Sequence, residues 1–161
     1  MQWSTDLIGY DALTSYGSPA YHAQKMFSTM HGDEILATDS RNIPTREWQP
    51  RPQRNGVTPP PRQIRRIFFD ATRDSKSGII YLKVVNEDGA PQRINVQISG
   101  APKIGPEAEL VTLAATSPTD TNSIEHPQRI VPRAERAKNL GANFTREFPP
   151  YSITVLKLKT K

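Results

Sequence analysis

Cysteine is absent from the 161-residue chain, which excludes disulfides and thiolate metal sites. Aromatic residues make up only 7% and hydrophobic residues 35%, enough for one modest core. No apolar run approaches the roughly 18 residues of a membrane-spanning helix, so no membrane partner is expected. The first residues show neither the basic nor the apolar region of a signal peptide, and export is left undecided. Histidine occurs three times. His22, His31 and His126 have no metal-ligand spacing, and the first two are too far apart along one helix to share a ligand set. No metal site is expected from them, and no Ser/His/Asp arrangement can be argued from these three.

What the chain has in quantity is proline and arginine. The 15 prolines exclude a helical bundle and suit a loop-rich β protein. The net charge is +5, and the basic residues are unevenly spread. Arg41, Arg46, Arg51, Arg54, Arg62, Arg65 and Arg66 share one window with Pro44, Pro50, Pro52, Pro59, Pro60 and Pro61. With Trp48 among them, these residues could meet a polyanion through guanidinium groups and a stacking indole. No folded nucleic-acid motif accompanies them. The segment reads as a proline-stiffened surface loop, and no nucleic-acid partner is expected.

The firmest local pattern is a helix over Ser18 to His31. Ser18 is a good N-cap, and Pro19 falls at the first helical position, where its missing N–H costs nothing. Ala20, Ala23, Phe27 and Met30 recur at helical spacing, with Met26 beside them, and Gly32 supplies the stop. Before the helix, Leu7 and Ile8 form a short strand that Gly9 and Tyr10 end, and Asp11 to Gly17 make the connection.

From Asp33 onward the patterns are those of strands. "EILATD" (Glu34 to Asp39) is one. A hairpin follows, with Ile64 to Thr72, a turn over Asp74 to Gly78, and a return strand from Ile79 to Asn86 in which Ile80, Leu82 and Val84 alternate with Tyr81, Lys83 and Val85. "RINVQIS" places Ile94, Val96 and Ile98 on one face, and Ala108 to Ala115 makes a further strand. "TSPTDTNSIEHPQ" is a long loop with internal Asx and Ser/Thr turns. "RIVPRAER" is a strand containing Pro132, which argues for a sheet edge. Phe144 and Phe148 lead to Pro149-Pro150, and Ile153, Val155 and Leu156 carry a last strand. Six or seven short strands at this spacing predict a mainly β fold, a β-sandwich.

Four strings, "DLIGYDALTSYGSPAYHAQKMFS", "ATRDSKSGIIYLKVVN", "PTDTNSI" followed by "IVP", and the terminal "FPPYSITVLKL", occur in this order. Together they resemble the C-terminal part of an α-L-arabinofuranosidase of glycoside hydrolase family 51. The resemblance implies a jelly-roll-like antiparallel β-sandwich over residues 33–161. Residues 1–32 then resemble the last β-α unit of a (β/α)8 catalytic barrel, with Asp6 to Asp11 as strand and Ser18 to His31 as helix. It implies removal of terminal α-L-arabinofuranosyl groups from arabinan and arabinoxylan with retention of configuration, without cofactor or metal. The implied partners are the (β/α)8 barrel of the same enzyme and an arabinose-containing polysaccharide, with oligomer formation open because family enzymes are often oligomeric.

Retaining glycosidases need two carboxyl groups about 5–5.5 Å apart. The family's two glutamates lie on earlier barrel strands, so no catalytic residue is assigned in this chain, and the 161 residues are expected to be an inactive accessory part of a longer enzyme. Asp33-Glu34, Glu87-Asp88 and Glu107/Glu109 read as solvated surface acids. Barrel active sites lie at the C-terminal ends of the strands, which makes Tyr10 and Asp11 the candidate substrate-binding residues at the pocket rim. The plainer alternative is that Tyr10 packs on neighbouring loops and Asp11 caps its turn. A free-standing carbohydrate-binding module is the second expectation, dependent on Trp48 or Tyr151. Alone, the apolar helix face carrying Met26, Phe27 and Met30 should dock on the sandwich, fray or self-associate.

Overall fold

The computed structural model describes residues 7–54, 56–101 and 103–160. Asp6, where the first strand was expected to begin, lies outside them. The elements in chain order are β1 (Ile8–Tyr10), β2 (Ser15–Gly17), α1 (Pro19–Thr29), β3 (Glu34–Ile35), β4 (Thr45–Trp48), β5 (Arg62–Arg65), β6 (Ile67–Arg73), β7 (Ile80–Asn86), β8 (Gln92–Gln97), β9 (Ile104–Ala114), β10 (Arg133–Ala137), β11 (Asn143–Phe148) and β12 (Ser152–Thr160).

Six strands form one antiparallel sheet in the order β10-β9-β12-β7-β6-β3, and β11-β8, β4-β5 and β1-β2 form two-stranded ribbons. The alternation of side chains decides which layer each face meets. On β12, Leu156 and Leu158 point to one face, and on β9 and β7 their partners Leu110, Ala108, Leu82 and Ile80 do the same. This face packs against the β8–β11 ribbon, where Phe144 and Phe148 are buried and Ile94, Val96 and Ile98 are half-buried. Leu156, Leu158, Ile67 and Phe148 are fully buried, and burial of each such side chain contributes about 1.5–3 kcal/mol. Asn86, also buried, closes the seam: its amide donates to the carbonyls of Phe148, Pro149 and Ala90, and its Oδ1 accepts from Asp88 N–H.

The opposite face of the same sheet carries Val111, Leu113, Val155 and Ile153, and here α1 lies. Ser18 caps the helix by accepting from Tyr21 N–H at 3.2 Å, and Pro19 opens it. Met26 is 1% exposed and packs with Val111, Leu113, Ile130 and Val155. Of the three outcomes expected for the apolar helix face, docking on the sandwich is the one observed. Phe27 stays partly exposed, with the Lys83 ammonium 5.2 Å from its ring centroid. Gly32 then turns the chain onto β6 so closely that a Cβ there would lie 2.0 Å from the Arg73 carbonyl carbon.

Several local expectations need correction. The connection from Asp11 to Gly17 contains a strand, because Ser15–Gly17 pairs back antiparallel on Ile8–Tyr10. The supposed loop from Arg41 to Arg62 contains β4, which pairs with β5 in the register Thr45↔Arg65 to Trp48↔Arg62. β3 is two residues long rather than six, β9 starts at Ile104, and the residues around Phe144 and Phe148 form β11. β10 is an edge strand as expected, and it begins just after Pro132, which lacks the N–H a ladder would use.

Candidate functional site

The candidate rim residues lie on the β1–β2 hairpin. Asp11 Oδ1 accepts from Leu13 N–H at 2.8 Å, Thr14 N–H at 2.7 Å and Thr14 Oγ1 at 3.0 Å. These three donors favour the ionised form and hold the Asp11 carboxyl below its ordinary value. Asp11 therefore caps the hairpin loop. Tyr10 does not pack on neighbouring loops, being 79% exposed. Just before them, Gly9 lies opposite Tyr16 in the ladder, and a Cβ at position 9 would fall 2.3 Å from Tyr16 Cζ. Leu7, Ile8 and Leu13 are exposed on the same unit.

The loop between β9 and β10 comes to this hairpin. Asn122, 1% exposed, donates to the Gly17 carbonyl at 2.8 Å and the Ile130 carbonyl at 2.9 Å, and accepts from Ile130 N–H at 2.8 Å. Asp120 gathers Thr116 N–H, Thr116 Oγ1 and Ser117 N–H on Oδ2 and Arg129 on Oδ1. The loop has internal Asx turns, as its composition predicted, and beyond them a tie to the N-terminal unit. Glu125, His126, Pro127, Gln128 and Arg129 line an open, shallow hollow at its tip. The Asp11 carboxylate is near enough to Glu125 to oppose its ionisation, against a larger lowering by the Glu125 backbone amide and Ser123.

Asp33, Glu34, Glu107 and Glu109 are exposed surface acids as expected, and several of the acids are partnered. Asp33 accepts from Ser75 N–H at 2.8 Å and Ser75 Oγ at 2.6 Å. Glu34 pairs with Arg73, Glu87 with Arg46, Asp88 with Arg66 and Glu109 with Lys157. Glu87 and Asp88, expected as solvated acids, are half-buried. Asp33, Asp74, Asp88 and Asp120 are all held below the ordinary carboxylate value, chiefly by hydrogen bonds from Ser75, Ser77, Arg66 and Thr116 respectively. A glycosidase general acid needs the opposite shift. Among the described residues no group of three His, Cys, Asp or Glu could hold a metal ion. Of the two aromatics a sugar-binding reading relies on, Trp48 has the Arg62 guanidinium 4.7 Å over its ring. Tyr151 lines an apolar groove with Pro19, Ala20, Val85 and Ile153, and its φ is +42°.

Comparison with known proteins places this geometry. Residues 2–152 match the family model described as the alpha-L-arabinofuranosidase C-terminal domain. An extracellular exo-alpha-L-arabinofuranosidase of Streptomyces chartreusis is 31% identical over 90 residues, which are 56% of this chain and 10% of that protein. The arabinose-bound MgGH51 α-L-arabinofuranosidase aligns over 99% of this chain and 22% of its own, with a TM-score of 0.78 and 28% identity. The thermostable GH51 α-L-arabinofuranosidase of Thermotoga petrophila has the same fold, with a TM-score of 0.77 and 17% identity over 93% of this chain and 31% of its own. The chain thus spans between a tenth and a third of the length of these relatives.

Proposed function

The chain belongs to the alpha-L-arabinofuranosidase C-terminal domain family, and from that premise we propose that it is the accessory sandwich of a retaining arabinofuranosidase acting on terminal α-L-arabinofuranosyl groups of arabinan or arabinoxylan. In this reading residues 1–32 are the last β-α unit of a (β/α)8 barrel, residues 33–161 are the sandwich, and the barrel supplies both catalytic glutamates. The observation that carries the reading is the family match over residues 2–152 in a chain that corresponds to 22% of the MgGH51 enzyme.

The two sides of the N-terminal unit support it. One side, through Met26, is buried on the sandwich, whereas Ile8, Tyr10 and Leu13 are 49%, 79% and 94% exposed. Exposed apolar side chains grouped on one short hairpin suit a surface that another domain covers. Tyr10 and Asp11 at the end of β1 then border the barrel mouth, Asp11 shaping the loop and Tyr10 offering its ring and hydroxyl to substrate. The test is hydrolysis of 4-nitrophenyl α-L-arabinofuranoside by the purified 161-residue chain. No release above buffer is expected. Release of 4-nitrophenol at an enzymatic rate would overturn the accessory reading.

A further inference from the structure

We propose that the β4–β5 arm is a binding surface for an acidic polysaccharide, one whose carboxylates are carried by uronic-acid sugars. The arm is held together by hydrogen bonds of its own. Its base is the ladder from Thr45↔Arg65 to Trp48↔Arg62. Beyond the ladder, the Gln49 side-chain amide donates to the Pro59 carbonyl at 3.0 Å and so ties the two limbs together. At the tip, Gly56 N–H donates to the Gln53 carbonyl and Gln53 N–H to the Val57 carbonyl. Pro50, Pro52, Pro59, Pro60 and Pro61 fix φ along both limbs, which lowers the entropy lost when a ligand orders the arm.

Two arginines fasten this arm to the main sheet: Arg46 pairs with Glu87 at 3.0 Å and Arg66 with Asp88 at 2.5 Å. Four others face outward. Arg51, Arg54, Arg62 and Arg65 are exposed, and none has an acid partner among the described residues. The only acid between Thr45 and Arg65 is Glu47. Strand alternation puts Arg62, opposite Trp48, and Arg65, opposite Thr45, on opposite faces of the ribbon, so the arm is basic on both sides. Its four unpaired guanidiniums attract a polyanion, and each N–H fork matches the two oxygens of a carboxylate. Arg62 is further held against Trp48, which fixes its plane and leaves its edge for a ligand.

The same stack argues against nucleic acid. Trp48 is the single aromatic of the arm, and with one face under Arg62 it offers little platform for bases. The choice of a uronate polymer over a phosphate one rests on the proposed role in polysaccharide breakdown. Binding needs no hydrolysis, so the two readings fail in separate assays.

The experiment is affinity electrophoresis of the 161-residue chain through gels containing polygalacturonate, neutral linear arabinan or mixed-sequence single-stranded DNA. Polygalacturonate should retard the chain, neutral arabinan should not, and the effect should fade with added salt. The variant Arg51→Ser/Arg54→Ser/Arg65→Ser, altered only at exposed positions, should lose roughly tenfold in apparent affinity. Arg93→Ser/Arg133→Ser/Arg136→Ser removes the same charge from exposed sites elsewhere and should change affinity less than twofold if the arm is the site. Absent retardation, equal losses in the two variants, or stronger retention by DNA than by polygalacturonate would each overturn the proposal.

Discussion

The side-chain amide of Asn122 donates to the backbone carbonyl of Gly17 at 2.8 Å, joining residues 105 apart in sequence. The same side chain exchanges hydrogen bonds with both backbone groups of Ile130. One buried amide thereby fixes the β9–β10 loop, the β1–β2 hairpin and the start of α1 together. Asn122→Ala should destabilise the chain by about 2–3 kcal/mol, because it leaves three backbone groups without their partner. Asn122→Asp keeps the acceptor and sets a carboxylate against two carbonyls, so it should be worse at neutral pH than at pH 4. Urea unfolding of both variants at the two pH values measures this.

Met26 is the residue through which α1 holds the sheet. Met26→Ala should cost about 3 kcal/mol, the usual range for a large core side chain cut back to Ala. Its damage should be local. Limited proteolysis should cut within Pro19–Thr29 well before it cuts the sandwich, and cleavage of both together would count against a helix docked as a separate layer.

Lys83 is 4% exposed and has Asp70 at 3.6 Å and the Phe27 ring at 5.2 Å. Lys83→Met keeps the stem and removes a charge that is costly to bury, so it should be neutral or slightly stabilising. Asp70→Asn leaves the ammonium without its counter-charge and should destabilise by about 1–2 kcal/mol. In the Lys83→Met background the Asp70→Asn effect should vanish. A double-mutant cycle in urea reads the coupling directly.

Acid should weaken the fold through its aspartates. Asp11, Asp33, Asp74, Asp88 and Asp120 are all lowered from an ordinary value of 3.8. A depressed folded-state pKa adds stability above the unfolded value, and that stability is lost as pH falls through 3.8 toward the folded values. Unfolding midpoints should therefore begin a small decline below about pH 6.5, where burial opposes protonation of His22, and fall more steeply below about pH 4 as the aspartates protonate. Asp33→Asn and Asp74→Asn, both at the turn where Ser75 and Ser77 donate, should each make the acid slope shallower. An unchanged slope in the double variant would refute the assignment.

Much of the architecture was legible because it follows from local chemistry. Ser18-Pro19 announces a helix start wherever the chain goes next. The alternation from Ile80 to Asn86 specifies a sheet strand, but not that α1 would cover its second face, where Lys83 is buried beside Phe27. β4 was not legible, since six prolines nearby argue for loop, and the prolines flank the ladder without entering it. The single strand expected from Ile64 to Thr72 is broken at Arg66 into the end of β5 and most of β6. β2 is three residues, Ser-Tyr-Gly, too short for any period to show. On β11, half-buried Arg146 separates Phe144 from Phe148 and breaks the apolar alternation, and its charge is met by Glu135 at 2.6 Å. Asp11 as a turn cap was within reach of the sequence, because Asp three residues before Thr is a local arrangement. The grip of Asn122 on Gly17 was not, because nothing local marks a contact between distant segments.

β12 lies in the middle of the sheet, between β7 and β9, although it follows both in the chain. The order of synthesis therefore differs from the order in space. The β6–β7 pair and the β9–β10 pair can each form as they leave the ribosome, but as two wings whose inner edges have no partner. Until Ser152–Thr160 arrives, β7 and β9 offer bare N–H and C=O groups to any neighbouring nascent chain. A pause in translation shortly before Ser152 would prolong that state.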